Sequence, residues 1–281
     1  MFITNSIAKL HNELDAIRFS GGRRRCVSLV TLRGGLHDGH GAVINAARTV
    51  SDVLVVALLP EAPVASSVIV DDENNVVSAT EFHDIGFVEQ HDAQIFFKPT
   101  EELLFPIDRE PLLAVTSPDT DTPFACEAHA LLTHLKILNI VQPEIMVWGE
   151  KKFIEHFQVR RLIRELDIRT QLQCIPTVRH ANGVPVGDED NAPESADDET
   201  LPVLYETIKN AAHAIRSGAR SFDKVARTAR LSLKRAGFEV NYFHVLDEDT
   251  LQPASDATTY RIAAQVTLDG RAYADSLGLT L

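Results

Sequence analysis

The 281 residues carry 27 Lys and Arg against 40 Asp and Glu, a net charge of −13, with 44% hydrophobic and 24% charged side chains. That balance excludes a disordered chain and argues against a nonspecific nucleic-acid binder, whose surface must neutralise phosphates. No run approaches the roughly 20 apolar residues that span a bilayer, and three well-separated cysteines, Cys26, Cys126 and Cys174, fit a reducing cytoplasm and small buried side chains.

Residues 1–19 read as an amphipathic helix containing acids, not as a signal peptide. A strand over 26–31 (CVSLVT) is followed by a helix over 40–50, a strand over 53–59 (VLVVALL), an acidic helical stretch over 79–91 and a strand over 94–97 (QIFF). A long helix over 124–140, a strand over 145–148 (IMVW), a helix over 152–166 and a strand over 169–175 complete the series. Near-continuous apolar strands separated by helices are the pattern of a parallel sheet covered on both faces. The fold class expected is therefore α/β: a doubly wound, Rossmann-like sheet over residues 1–185, binding ligands beyond the carboxyl ends of its strands. From 188 to 200 the chain reads DEDNAPESADDET, with seven acids and one proline, which predicts an acidic linker over 186–200. Helical patterns over 201–217 and 222–236 follow. Strand-like segments over 239–245, 261–268 and 272–275, with turns at Asp249 and Asp269-Gly270, then predict a smaller α+β domain over 201–281.

The sharpest local feature is Gly34-Gly35-Leu36-His37-Asp38-Gly39-His40, between the first predicted strand and helix. Glycines let backbone approach an anion, and a helix N-terminus offers unpaired N–H groups and a positive dipole end. Two histidines three residues apart fall on one face of a first helical turn, an H-x-G-H pattern suited to phosphate oxygens. The competing reading is a glycine-rich turn with two exposed histidines. No G-x-x-x-x-G-K-[ST] element is present, which sets aside a P-loop enzyme. The second feature is Asn139-Ile140-Val141-Gln142-Pro143, then a strand, then Gly149-Glu150-Lys151-Lys152. A glycine and a lysine opening a helix at a strand's carboxyl end stand where a phosphate binds, or else form an ordinary turn with solvated charges. The third is Ile175-Pro176-Thr177-Val178-Arg179, running into Asn182-Gly183.

In this order and spacing the three segments resemble the pantoate–β-alanine ligases, or pantothenate synthetases. That family reads V-P-T-M-G-A-L-H-x-G-H, then N-I-V-Q-P followed by F-G-E-K-D-x-Q-Q, then V-P-T-V-R-E-x-D-G-L-A-M-S-S-R-N. DEDTLQP at 247–253 and Asp275 fit the family's small domain. The resemblance implies an H-I-G-H-type nucleotidyltransferase domain with a C-terminal lid, forming a cytoplasmic homodimer. Its partners would be small-molecule substrates, with neither nucleic acid nor membrane. It also implies a two-step reaction with ATP and magnesium, in which the pantoate carboxylate attacks the α-phosphate and β-alanine then displaces AMP from pantoyl adenylate. Carried over by position, His37, His40 and Lys151 become the catalytic candidates. Gly34, Gly39, Gly149 and Val178 become nucleotide contacts, the Val178 backbone meeting adenine, and Gly183 becomes the turn glycine. Val178 could instead merely end a strand, and Lys151 could be a solvated surface charge. No protein ligand set for a metal is read from the sequence.

Several positions depart from the family pattern. Thr31-Leu32-Arg33 stands for P-T-M, so a pocket-lining methionine has become a cation. Leu58-Leu59-Pro60-Glu61-Ala62-Pro63 stands for F-V-N-P-x-Q-F, which puts Ala62 in place of one pantoate-binding glutamine; Glu155 replaces the other, and Lys152 replaces an aspartate. Val186-Gly187-Asp188-Glu189 stands for M-S-S-R, exchanging two hydroxyls and an arginine for a glycine and two acids. Each lost polar contact to a charged ligand costs about 1.5–3 kcal/mol, so two predict pantoate binding weaker by roughly two to four powers of ten. The expectation is an ATP-dependent ligase with reduced activity or altered acid specificity. The alternatives are another H-I-G-H-type nucleotidyltransferase, whose Arg33 and Lys152 would suit a phosphorylated acceptor, or a non-catalytic homologue with a binding or regulatory role.

Overall fold

The protein is described here by a computed structural model over residues 1–60, 68–70, 76–106, 128–187, 200–255 and 257–281. Ala62, Cys126, Asp188, Glu189, the predicted helix start at 124–127 and linker positions 188–199 lie outside the described residues. Two compact units divide the chain, Met1–Pro176 and Thr177–Leu281.

In the first unit, β1 (Phe2–Thr4), β2 (Val27–Leu32), β3 (Val53–Leu58), β6 (Ile95–Phe97), β7 (Ile145–Gly149) and β8 (Gln171–Ile175) form a parallel sheet in the order β1-β6-β3-β2-β7-β8. A short antiparallel pair, β4 (Val68–Val70) and β5 (Val76–Ser78), stands apart from it. The apolar runs alternate between two cores. Val27 and Leu29, Val53 and Val55, Ile95 and Phe97, and Met146 and Trp148 face α1 (Ile7–Arg18), α5 (Ala128–Val141) and α6 (Phe153–Glu165). Val30 and Leu32, Leu54 and Val56, Phe96 and Val147 face α2 (Asp38–Thr49) and α3 (Ala79–Gln90). Each fully buried side chain of this kind contributes about 1.5–3 kcal/mol, which is why sequences with two apolar faces settle between two helical layers. A single turn, α4 (Glu101–Leu104), completes the helices of this unit among the described residues.

The strand order locates the ligand crevice. From β2 the chain proceeds to β3 and β6 on one side, and from β7 to β8 on the other, so the direction of winding reverses between β2 and β7. These two strands pair at Ser28↔Ile145 and Leu29↔Met146. Ligands of doubly wound sheets bind beyond the carboxyl ends of the strands at such a switch point.

Two expectations need correction. Residues 1–19 are not helical throughout: β1 pairs with β6 at the sheet edge, and α1 starts after Ser6, whose Oγ accepts from the Lys9 N–H at 3.4 Å. Three residues are too few to display a period of two, so the strand merged into the helical pattern that follows. The two cysteines among the described residues are not the buried side chains expected. Cys174 is exposed on β8, the opposite edge strand, and Cys26 is half-buried, burial pushing its thiol pKa up.

In the second unit, α7 (Pro202–Arg216) and α8 (Phe222–Arg235) cover an antiparallel sheet of β9 (Glu239–Asp247), β10 (Thr259–Leu268) and β11 (Arg271–Thr280), ordered β11-β10-β9. The β10–β11 hairpin turns on Asp269 and Gly270, both at positive φ (50° and 78°), the primed geometry that Asp-Gly favours. The segment that follows Pro176 falls in this unit. Arg179 makes a two-pronged ion pair with the buried Asp275 of β11, at 2.7 and 2.8 Å, which ties its segment to the C-terminal sheet. No helix of the described residues is long and apolar enough to cross a membrane.

Candidate functional site

α2 begins where it does because His37 caps it. The His37 backbone is extended (φ −143°, ψ 175°), and its Nδ1 accepts from the Gly39 N–H at 3.1 Å. Nδ1 of His40 accepts in return from the His37 N–H at 3.3 Å. This is a capping box made from two imidazoles, with His37 one residue ahead of the helix and not, as expected, within its first turn. The rings lie 3.9 Å apart, inclined by 33°. Since both Nδ1 atoms accept, each neutral ring carries its proton on Nε2. The capping geometry thus fixes two Nε2–H donors at the positive end of α2.

A residue outside the motif holds the glycine loop in shape. Oδ2 of Asp84 accepts from the Gly35 N–H at 3.0 Å and Oδ1 from the Leu36 N–H at 2.8 Å. Asp84 lies on α3 and is only 1% exposed, where a polar side chain needs hydrogen-bond partners from the protein. Gly35 sits at φ +76°, where a side chain would be strained. Sequence reasoning missed Asp84 because it lies in an acid-rich stretch 49 residues downstream of Gly35. The one available signal was its position four residues before Val88, on the buried face of α3.

Across the switch point, Gly149 ends β7 and a 3-10 turn over Glu150–Lys152 carries Lys151, half-buried, and Lys152, exposed, into α6. A Cβ on Gly149 would stand 3.4 Å from Val43 of α2, an ordinary contact, so packing alone does not demand glycine there. The loops bearing His37, His40, Gly34 and Gly39 on one side and Gly149 and Lys151 on the other thus follow the two strands that flank the reversal.

Val178 belongs to the C-terminal unit. Its carbonyl accepts from the Val186 N–H at 2.9 Å, closing a tight turn around Gly183. Gly183 is required there twice over. Its φ is +92°, and a Cβ would come within 2.8 Å of Tyr205 Cδ1. Arg179, besides its pair with Asp275, stacks 3.6 Å over the Tyr205 ring.

Two of the replaced positions meet each other. Nη2 of Arg33, just after β2, lies 3.0 Å from Oε1 of Glu155 in the first turn of α6. Nearby, His134 of α5 is 1% exposed, and neither of its ring nitrogens has a hydrogen-bond partner. Burial, and secondarily the charge of Arg33, push its pKa down to about 3. The ring packs 4.9 Å from Trp148 of β7, which is 6.5 Å from His156 of α6. Oγ1 of Thr31 on β2 is also buried without a partner. Among the described residues no group of three or more His, Cys, Asp or Glu is placed to hold a metal ion.

Comparison with known proteins agrees with this architecture. The family model described as pantoate-beta-alanine ligase matches residues 2–276. The chain belongs to the pantoate–β-alanine ligase family. A pantothenate synthetase of Vibrio vulnificus is 26% identical over 272 residues, covering 95% of this chain and 88% of that protein. The fold of pantothenate synthetase from Thermus thermophilus superposes with a TM-score of 0.79 at 21% identity, over 99% of both chains. A Francisella tularensis pantoate–β-alanine ligase, solved in complex with beta-gamma ATP and β-alanine, gives 0.66 at 20% identity, over 99% of this chain and 97% of that one. Identities near a quarter over nearly full length mark a divergent member, and the Rossmann-like α/β fold is that of the family.

Proposed function

We propose that this chain is an ATP-dependent acid–amine ligase of the pantoate–β-alanine type, with reduced activity or altered specificity for the acid. The observation that carries the reading is the imidazole capping box at the sheet's switch point. His37 and His40 would donate through Nε2 to phosphate oxygens, with Lys151 adding positive charge from the facing loop. The backbone of Gly34, Gly39 and Gly149 would line the nucleotide, and Val178 would contact adenine. An oxygen of the acid's carboxylate attacks the α-phosphorus and pyrophosphate leaves with the bridging electron pair. The amine nitrogen then attacks the acyl carbon, AMP leaves, and the amine gives up a proton. The protein's contribution is to align these groups and stabilise charge growing on phosphate. Magnesium, held in such sites mostly by phosphates, water and one or two carboxylates, would neutralise charge on the triphosphate.

Of the two cations that would suit a phosphorylated acceptor, Arg33 and Lys152, the first has its charge offset by Glu155, which favours the acid–amine reading. The deciding experiment is pyrophosphate release together with mass detection of the amide product, using ATP, β-alanine and a panel of acids that includes pantoate. Amide formation with any of these acids supports the reading. ATP binding without pyrophosphate release from any acid would leave a non-catalytic homologue in its place. The family's homodimer and cytoplasmic setting are carried over with the same reading, and sedimentation of the purified chain tests the dimer.

A further inference from the structure

Toward α5 and α6, the switch point holds polar atoms that the protein itself does not satisfy. His134 is buried to 1% exposure with both ring nitrogens unpaired, and it packs against Trp148, on the β7 face that looks toward α5 and α6. Thr31 continues the Val27–Leu29 face of β2 by the two-residue period of a strand, so its unpaired Oγ1 belongs to the same layer. Buried donors and acceptors are almost always paired, and leaving one unpaired opposes folding. A leucine at either position would avoid that penalty. Unpaired nitrogens on one element and an unpaired oxygen on another, at the carboxyl ends of the strands flanking the switch, are what a polar ligand group would satisfy.

We propose that His134 is a specificity-determining residue for the acid, hydrogen-bonded through one ring nitrogen to a hydroxyl of an aliphatic hydroxy acid while Thr31 Oγ1 makes a second contact. The assignment rests on the ligase reading above and adds a residue to the acid's part of that same site. The ring's chemistry selects a hydroxyl. Burial keeps it neutral, so one nitrogen donates and the other accepts. A hydroxyl can donate and accept in return. The two ring nitrogens point apart, so one hydroxyl meets only one of them. It suits whichever faces the ligand, whereas a carboxylate suits only the N–H and an ammonium only the bare nitrogen.

The test is calorimetric titration of full-length protein, with a non-hydrolysable ATP analogue present, against three acids. These are pantoate with two hydroxyls, 2-hydroxy-3,3-dimethylbutanoate with one, and 3,3-dimethylbutanoate with none. His134→Leu and His134→Gln are titrated alongside, and the imidazole nitrogen resonances of His134 are followed by NMR. The wild type is expected to prefer a hydroxylated acid over 3,3-dimethylbutanoate by at least about tenfold. His134→Leu should bring the acids to within about threefold, and His134→Gln, which keeps a donor and an acceptor, should retain most of the preference. The resonances should move with hydroxylated acids only. If His134→Leu gains thermal stability and keeps the preference, the histidine is a core misfit and the proposal falls, with the ligase reading untouched. If pantoate does not bind but 2-hydroxy-3,3-dimethylbutanoate binds and shifts His134, the proposal stands and pantoate is the wrong acid. If none of the three acids moves the His134 resonances, the proposal is overturned, and the pyrophosphate assay still decides the ligase reading separately.

Discussion

The two sides of the switch point are built on opposite principles. In the loop after β2, the groups that set its shape are paired within the protein. Asp84 receives Gly35 and Leu36, and the two histidines cap α2 through their Nδ1 atoms. Toward α5 and α6, by contrast, His134 and Thr31 keep buried polar atoms without partners, and the charges above them are neutralised by a half-exposed pair. The first region carries residues that match the family pattern apart from Arg33 at its start, and the second carries the replacement at Glu155. A loop satisfied by its own protein is shaped before any ligand arrives and does not depend on which acid is used. A region whose polar groups lack partners departs from the rules that stabilise folds, and such departures concentrate where a protein does its work.

The strongest way to break this contrast is to remove the carboxylate that makes the first region self-sufficient. Asp84→Ala removes the acceptor of the buried Leu36 N–H and of the half-buried N–H of Gly35, which is already at positive φ. Two hydrogen bonds to a charged acceptor predict a loss of about 3–5 kcal/mol in urea unfolding, with nucleotide affinity falling alongside. Asp84→Asn keeps one acceptor oxygen and should lose about half as much. A loss under about 1 kcal/mol would show that the loop holds its shape without α3.

Next in size is the paired variant His37→Ala, His40→Ala. ATP affinity should fall by about 10–100-fold as two donors to phosphate vanish, while the lost cap lowers stability by only about 1 kcal/mol. His37→Asn restores a capping side chain without the imidazole, which separates the two effects. Calorimetry giving wild-type ATP affinity for the double variant would remove both histidines from the nucleotide site.

The sequence made this first region legible and the second nearly illegible, for physical reasons. Val27–Leu32 and Val53–Leu58 are apolar on both faces, so their burial in a covered parallel sheet follows from composition, and Gly34 to His40 announces itself by local spacing. Asp84 acts across 49 residues and Glu155 meets Arg33 across 122, and no periodicity records such pairings. In the sequence Glu155 shows only as the replacement of a glutamine; the structure gives it Arg33 as a partner. His134 was invisible for a different reason: on a helix as apolar as α5 it passes for one more side chain of the buried face.

The pH dependence of stability tests whether the second region is as dry as its geometry. Burial lowers the pKa of His134 from 6.5 to about 3, so the unfolded chain takes up a proton that the folded chain refuses. The stability this residue allows is therefore complete above about pH 6.5 and is lost as pH falls toward 3, by up to about 1.4 kcal/mol per pH unit. Arg33, whose charge acts on His134, remains in His134→Leu, so that variant should differ from the wild type by this part of the acid slope. Identical acid limbs for the two proteins would mean that water reaches the ring.

The smallest effect on stability belongs to Arg33 and Glu155, whose side chains are 46% and 23% exposed. A double-mutant cycle on Arg33→Met and Glu155→Gln should return a coupling of about 0.2–1 kcal/mol, weakening with salt. Its value lies in what the same four proteins do with the acid. Breaking the pair from one side exposes the charge on the other. Arg33→Met leaves Glu155 to repel the carboxylate substrate, and Glu155→Gln leaves Arg33 to attract it. At an effective dielectric near 20, a unit charge about 8 Å away is worth about 2 kcal/mol before screening, so shifts of up to about tenfold are expected in opposite directions. The Michaelis constant for pantoate should thus be highest in Arg33→Met and lowest in Glu155→Gln. The wild type and the double variant, each neutral at this point, should fall between them. Turnover should change less than the Michaelis constant, because a charge felt equally by bound substrate and transition state alters binding more than chemistry. If all four proteins share one Michaelis constant, the pair lies outside the acid site, and Glu155 can no longer be read as standing where the family binds its substrate.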